Sequence, residues 1–394
     1  MSIHVEIHKS FGDFSLDAAF SSERKRIGIL GASGCGKSMT LKSIAGIVKP
    51  DSGEIILDGR TLFSSAERRN EPPKKRRIGY LFQNYALFPN MSVLGNVEAG
   101  IRHLPREERT ERAMQMLRKF SLEGLERRFP DELSGGQQQR AALARIMACS
   151  PDAVLLDEPF SALDIFLRHQ VMEETARLFE DYQGTVILVS HSSEEIYRFA
   201  EDLVVLDQGR AVTAGRTADV FRNPRAKAAA VLTGCRNFSD AVRLSDHEFA
   251  APSWGLTVRT ERVLPEDFNC IGYREEDWIP VSAENAENDG RGGCAEGAGA
   301  AEGAKGAGAA GRAASRISRD HPQDALFLRQ TGALETPSGE SFFLRVPDGA
   351  DSPVWSVNRA EAEQLEKNGM PLLLRMDERK ILFLRDSPRE GGGA

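Results

Sequence analysis

Eight residues, Gly31-Ala32-Ser33-Gly34-Cys35-Gly36-Lys37-Ser38, constrain this chain more than any others. They satisfy G-x-x-x-x-G-K-[ST] at every fixed position. The apolar run Ile27-Gly28-Ile29-Leu30 precedes them and reads as a buried strand; residues 39–45 follow with helical spacing. Strand, glycine-rich loop and helix is the context in which this pattern binds phosphate. Glycines let backbone N–H groups converge on phosphate oxygens, and the helix N-terminus adds free donors and a favourable dipole. Lys37 is expected to reach the β- and γ-phosphates of a nucleotide, and Ser38 to place its hydroxyl on Mg²⁺. The alternative is a glycine turn without a ligand; correct flanks on both sides argue against it. Cys35 lies near the helix N-terminus and Lys37, both of which lower a thiol pKa, so a reactive cysteine is expected.

A length of 394 residues suits two or three domains, and 41% apolar content suits a globular core. The net charge of -7 argues against nucleic-acid binding as the main role. Residues 1–7 alternate like a strand and lack the basic start and apolar region of a signal peptide. No run reaches the roughly 18 apolar residues of a membrane span. Five scattered cysteines without a CxxC pair read as free thiols in a reducing compartment, with no zinc site.

Along the chain, strand signals fall at residues 3–7 and 27–30, with Phe11 and Phe14 between them. Phe11 is suited either to stacking on an adenine or to the core. Lys49-Pro50-Asp51-Ser52-Gly53 ends the phosphate-loop helix, and Asp58-Gly59 closes a hairpin. Lys74-Lys75-Arg76-Arg77 reads as a solvated edge rather than a nucleic-acid patch. The strand Ile78-Gly79-Tyr80-Leu81-Phe82 ends on Gln83, whose amide can coordinate Mg²⁺ or position water. A helical insertion follows over about 86–150, with Ala113, Met116, Leu117 and Phe120 on one side of a helix. At its end Ser134-Gly135-Gly136-Gln137 opens a helix and forms a second anion-seeking N-terminus. The buried strand Ala153-Val154-Leu155-Leu156 runs into Asp157 and Glu158. Asp157 is placed to hold Mg²⁺ and Glu158 to accept a proton from an attacking water. The bland alternative is a pair of solvated strand-end acids. His191 ends the next apolar strand and is placed for a γ-phosphate contact rather than a purely structural one.

These motifs, in this order and spacing over residues 1–233, resemble the ATP-binding subunits of ABC transporters. The correspondence gives residues 31–38 as Walker A, Gln83 as the Q-loop glutamine and residues 133–137 as the signature. Residues 154–158 match Walker B, residues 161–164 the D-loop, and His191 the switch histidine. Residues 11–16, 77–83, 87–93, 220–224 and 232–237 look like the molybdate and sulfate importers. Two residues depart from the usual pattern: Met39 stands where threonine is common, and Ser192 follows His191 where an acid is usual.

The resemblance implies an α/β fold, a P-loop NTPase cassette with a helical subdomain, then a small β-rich accessory (TOBE-like) domain at 234–394. It implies ATP and Mg²⁺ as ligands, with Ser38, Gln83 and Asp157 at the metal. It implies a homodimer in which Ser134, Gly135, Gly136 and Gln137 of one copy face the ATP of the other. Since the chain has one phosphate loop and one signature, a complete site needs a second copy. Glu158 would then be the general base, His191 would stabilise the γ-phosphate, and Gln83 would connect the site to a membrane permease. The aromatic stretch 85–89 would help receive the permease's coupling helix. A peripheral location on the cytoplasmic face and an indirect link to a substrate-binding protein follow, with no nucleic acid. The implied cargo is an oxyanion, molybdate first and sulfate second. A soluble non-transport ABC ATPase, or an oxyanion-sensing C-terminal module, are the alternatives.

In the C-terminal part, strands are expected at 256–258, 342–346 and 354–357, and a hairpin from 372–376 to 381–384 around residues 377–380. Residues 283–318 are dominated by Gly and Ala from 290 on and are expected to be a mobile insertion.

Overall fold

The computed structural model describes residues 2–161, 163, 165–254, 256–281, 325–327, 329–336, 339–345, 354–358 and 373–386. The Gly/Ala-rich stretch 283–318, Ala162 and Asp164 lie outside the described residues. Two compact units are present, Met1–Arg222 and Asn223–Ala394.

The first unit is built on an eleven-stranded sheet. Its strands are β1 (Ile3–Phe11), β2 (Phe14–Ser22), β3 (Arg26–Leu30), β4 (Ser52–Leu57), β5 (Arg60–Ser64) and β6 (Arg69–Asn70). They continue with β7 (Ile78–Leu81), β8 (Ala153–Asp157), β9 (Thr185–Ser190), β10 (Asp202–Asp207) and β11 (Arg210–Arg216). The spatial order is β6-β5-β4-β1-β2-β11-β10-β3-β9-β8-β7. Strands β10, β3, β9, β8 and β7 are mutually parallel. The central ones, buried on both faces, read as continuous apolar runs: every residue of β8 and β9 is buried. The β1–β2 and β4–β5 hairpins form the antiparallel wing. Asp58 and Gly59 both take positive φ, 50° and 76°, as the tight β4–β5 turn requires.

The helices are α1 (Lys37–Ala45), α2 (Pro73–Arg76), α3 (Val93–Ala99), α4 (Arg106–Lys119) and α5 (Gly135–Ala148). They continue with α6 (Ile165–Leu178), α7 (Ser193–Phe199) and α8 (Thr217–Arg222). Helices α3, α4 and α5 fall between β7 and β8 and pack on one another. Ala113, Leu117 and Phe120 are buried there and Met116 half-buried, so the apolar face read from the spacing is the packed one.

Arg76 corrects the expectation of a solvated basic run. Its side chain is 0% exposed. Its guanidinium donates to Ser43 O (2.9 Å) and Ile44 O (2.7 Å) at the C-terminal end of α1. Two further bonds go to Glu71 O (2.8 Å) and Asn70 Oδ1 (2.8 Å). The free carbonyls at a helix C-terminus attract a cation, and this one comes from the loop before β7.

The second unit begins with α9 (Lys227–Leu232) and contains four three-stranded sheets among its described residues. Phe249, Trp254, Ile271, Tyr273, Trp278 and Met376 form its main core. Strands Leu256–Arg259, Gly339–Arg345 and Val354–Asn358 fall where strands were expected. The expected hairpin is not formed. Leu373–Arg375 pairs with Ile279–Val281 and Ala325–Phe327, whereas Leu382–Leu384 pairs with Cys270–Tyr273 in another sheet. The intervening Asp377-Glu378-Arg379-Lys380 offers no glycine or asparagine for a tight reversal. It forms a short 3₁₀ turn instead, held by Asp377 N–H donating to Tyr273 Oη (2.8 Å) and by Lys380 on Asp277 (3.1 Å).

Candidate functional site

The site lies at the carboxyl ends of β3, β9 and β8, which are adjacent in the sheet. Helix, turn and acidic residues leave those strand ends together, as expected of a parallel α/β sheet. After β3 the chain makes the 31–36 loop and enters α1. Gly36 sits at the N-cap with φ 106°, where a side chain would also collide with Leu16 (2.8 Å). Gly31 has no room for a Cβ, which would fall 2.5 Å from Leu206 O.

Lys37 is 4% exposed and its Nζ donates to Gly31 O and Ala32 O, both at 2.9 Å. The ammonium thus lies inside the curve of its own loop. Glu158 places one carboxylate oxygen 3.8 Å from Lys37 Nζ and the other 3.6 Å from His191 Nδ1. Its φ of 47° lies in the left-handed region, a strained setting for a non-glycine residue. The backbone is held there by Glu158 N–H donating to Val189 O (3.0 Å) and by Ser161 Oγ donating to Glu158 O (2.9 Å).

Asp157 is 6% exposed and accepts from Ser38 Oγ and from Tyr80 Oη, each at 2.7 Å. Burial, and then the hydrogen bond to Asp157, push the Tyr80 phenol upward, so it stays a donor. Hydroxyl and carboxylate oxygens side by side are hard donors of the kind Mg²⁺ takes, alongside phosphate oxygens and water. The donor set therefore fits the metal expected from the sequence. Gln83 Nε2 donates to Ser161 Oγ at 3.3 Å, which links it to the Glu158 turn rather than directly to Asp157 or Ser38.

Ser134 caps α5 through a reciprocal box: its Oγ accepts from Gln137 N–H (3.3 Å), and Gln137 Oε1 accepts from Ser134 N–H (2.9 Å). The Ser134 hydroxyl proton is thereby left to donate, and Gly135 and Gly136 carry first-turn N–H groups. Among the described residues, no hydrogen bond or ion pair joins Ser134, Gly135, Gly136 or Gln137 to the phosphate loop. The site thus gathers Gly31, Ala32, Ser33, Gly34, Cys35, Gly36, Lys37, Ser38, Asp157, Glu158 and His191 into one cluster, with Ser134, Gly135, Gly136 and Gln137 apart from it at the N-terminal end of α5.

The expectation of a reactive Cys35 is overturned. The thiol is 5% exposed and packs in the sheet core with Leu16, Leu41 and Leu206. Desolvation raises its pKa and outweighs the lowering by Lys37. Ser192 stands at the N-cap of α7, its Oγ accepting from Glu195 N–H (3.3 Å). The hydroxyl thus serves as a helix cap where an acid is usual in the family. Tyr80 was missed as a site residue. A phenol inside an otherwise apolar strand beside that of Asp157 is the signal that marks Tyr80.

The family model described as ABC transporter matches residues 18–161. The chain is 39% identical over 298 residues to the sulfate/thiosulfate import ATP-binding protein CysA 2 of Chromobacterium violaceum, spanning 72% of this chain and 79% of that protein. This chain belongs to the ABC transporter ATP-binding family. The chain is also 35% identical over 268 residues to the molybdenum import ATP-binding protein ModC of Rhizobium etli, over 65% of this chain and 76% of that one. It is 36% identical to the spermidine/putrescine import ATP-binding protein PotA of Clostridioides difficile, over 71% and 76%. The cassette is an ATP-binding, ATP-hydrolysing enzyme of the type these proteins represent, and such cassettes act as dimers with membrane permeases. Among its described residues no helix is long and apolar enough to cross a membrane.

Proposed function

We propose that this subunit powers the import of a tetrahedral oxyanion, molybdate or sulfate, by hydrolysing ATP at sites shared between two copies of the cassette. The placement of Glu158 between Lys37 and His191 carries the catalytic part of this reading. The sulfate and molybdenum names of the relatives above support the cargo class. The polyamine relative, at comparable identity, makes a cationic cargo the second reading.

In this mechanism the loop N–H groups and the α1 N-terminus bind the phosphates, and Lys37 exchanges the Gly31 and Ala32 carbonyls for phosphate oxygens. Ser38 and Asp157 would hold the metal. Magnesium, when bound, neutralises charge on the phosphate oxygens. Glu158 accepts the proton of the attacking water, and His191 keeps the carboxylate aimed and contacts the γ-phosphate. Gln83 reports occupancy of the site through Ser161 to the loop that faces the permease. Ser134 and Gly136 of the second copy complete the γ-phosphate cradle, so ATP favours the closed pair.

Glu158→Gln keeps size and polarity but cannot take a proton. Hydrolysis should fall about 10²–10⁴-fold with ATP binding retained; an unchanged rate refutes the mechanism. Labelled sulfate and molybdate uptake, measured in a strain lacking the gene and complemented with either form, tests the cargo. Restoration of one anion's uptake by the unaltered protein alone is expected. Spermidine uptake restored in their place moves the assignment to the second reading.

A further inference from the structure

The turn that carries Glu158 is gripped by the loop after β7 at two points. Gln83 reaches it through Ser161, as described. The second grip is Tyr85, whose Oη donates to Pro159 O, the carbonyl directly after Glu158, at 3.3 Å. Tyr85 is 4% exposed, and burial raises its phenol pKa, so it remains a donor.

The backbone that delivers this phenol is strained. Tyr85 and Ala86 are consecutive non-glycine residues with φ 60° and 45°. Such a pair persists only when its surroundings impose it. Two backbone bonds contribute, from Tyr85 N–H to Phe82 O (2.8 Å) and from Ala86 N–H to Asn84 O (2.7 Å). The third restraint is Arg145, in the last turn of α5. Its two terminal nitrogens donate to Ala86 O (2.7 Å) and Tyr85 O (3.1 Å), and its guanidinium lies 5.4 Å from the Phe88 ring centre. Neither bond goes to a carboxylate. A fork that meets two successive carbonyls fixes the dipeptide's orientation as a single ammonium cannot.

We propose that Tyr85 is a positioning residue for Glu158, and that Arg145 holds Tyr85 in the conformation that lets it act. The proposal rests on Glu158 being the base. Tyr85 fixes the carbonyl after Glu158 while Ser161 fixes that of Glu158 itself, so the strained turn cannot relax and swing the carboxylate away from Lys37 and His191. Since Ser134 caps the N-terminus of α5 and Arg145 lies in its last turn, the same clasp ties the base's turn to the helix whose N-terminus faces the other copy's nucleotide.

The test is steady-state ATP hydrolysis by the full chain, at protein concentrations where the rate per subunit is constant. Tyr85→Phe keeps the buried ring and removes one donor. Small misplacements of a catalytic group cost large factors, so kcat should fall about 5–20-fold while KM for ATP stays within about twofold. In a Glu158→Gln background the same change should lower the residual rate no further. Arg145→Lys keeps the charge and loses the fork, and should give an intermediate kcat. A Tyr85→Phe kcat within twofold of the unaltered protein overturns the proposal, as does an equal proportional fall in the Glu158→Gln background. A wild-type rate for Arg145→Lys removes Arg145 from the device. Full activity in Glu158→Gln itself defeats the catalytic reading on which the proposal rests, and is distinguishable from all of these.

Discussion

Arg76→Met isolates the contribution of one buried guanidinium to the phosphate-loop helix. The methionine stem fills most of the space, so the loss is chiefly polar. Ser43 O keeps a second donor, the Gly46 N–H at 3.1 Å. Ile44 O does not share the donors that follow it, because the N–H groups of Ile47 and Val48 both turn to Lys42 O. The variant therefore leaves Ile44 O, Glu71 O and Asn70 Oδ1 without the guanidinium. One buried acceptor left unpaired costs about 1–3 kcal/mol. Losing a cation at a helix C-terminus adds about 0.3–1 kcal/mol, more where the site is buried. Relief of the charge's desolvation offsets part of this; burial pulls the Arg76 pKa down to about 10. The net expectation is about 3 kcal/mol of destabilisation.

For a unit of this size, each kcal/mol moves the melting midpoint by about 2–4 °C, so the variant should melt about 6–12 °C lower. Thermal unfolding followed by far-ultraviolet circular dichroism is the assay, since helices α1 to α8 belong to the first unit. Arg76→Lys, with one charged point in place of a fork, should lose about half as much. A shift below about 2 °C for Arg76→Met would show that water replaces the guanidinium without penalty, and would refute the capping role.

Beyond the Glu158 and Tyr85 variants, two outcomes follow from buried groups. A thiol reagent at neutral pH should spare the buried Cys35, so any loss of ATPase activity should be the same in Cys35→Ser; inactivation that ATP prevents and that Cys35→Ser abolishes would restore a reactive Cys35. Burial alone would raise the Glu71 carboxyl, but hydrogen bonds from Arg60 (2.5 Å) and Arg69 (3.0 Å) hold it below its usual 4.5. Its stabilisation is therefore present above about pH 4.5 and lost as pH falls through the lower folded-state value. Glu71→Gln should be less stable at neutral pH, with the two stability curves converging in acid; a constant gap down to pH 3 contradicts this assignment.

Much of the site was legible because its chemistry is local in sequence. The phosphate loop needs glycines at fixed offsets, and Asp157 and Glu158 announce themselves by ending an apolar run. Strand adjacency was not legible. His191 ends the strand that follows Walker B in the chain, yet that strand lies between β8 and β3 in the sheet. Pairing with β8 brings the imidazole to Glu158, and pairing with β3 brings both to the phosphate loop. Cys35 failed for a related reason: proximity to Lys37 and a helix N-terminus is visible in sequence, but the burial that outweighs both depends on Leu16 and Leu206, which are distant in the chain. The missing hairpin at 373–384 was misread because two apolar runs flanking a polar turn look alike whether they pair with each other or with third strands.

Arg76, Arg145 and Tyr85 share a property that explains why none was found. Each acts on backbone carbonyls: Ser43 and Ile44, Tyr85 and Ala86, and Pro159 respectively. Every residue has a carbonyl, so such a bond leaves no trace in the partner's identity. A basic residue in a charged run or helix face then looks like any solvated cation, and a tyrosine in an aromatic loop like any surface anchor. What exposes them is burial combined with strain: a fully buried guanidinium at a helix end, or two successive left-handed non-glycine residues beneath another. The bond-forming groups of this ATPase lie in its motifs. What holds them in register is carried by side chains that grip the main chain, and substitution there should alter rate or stability while leaving every motif intact.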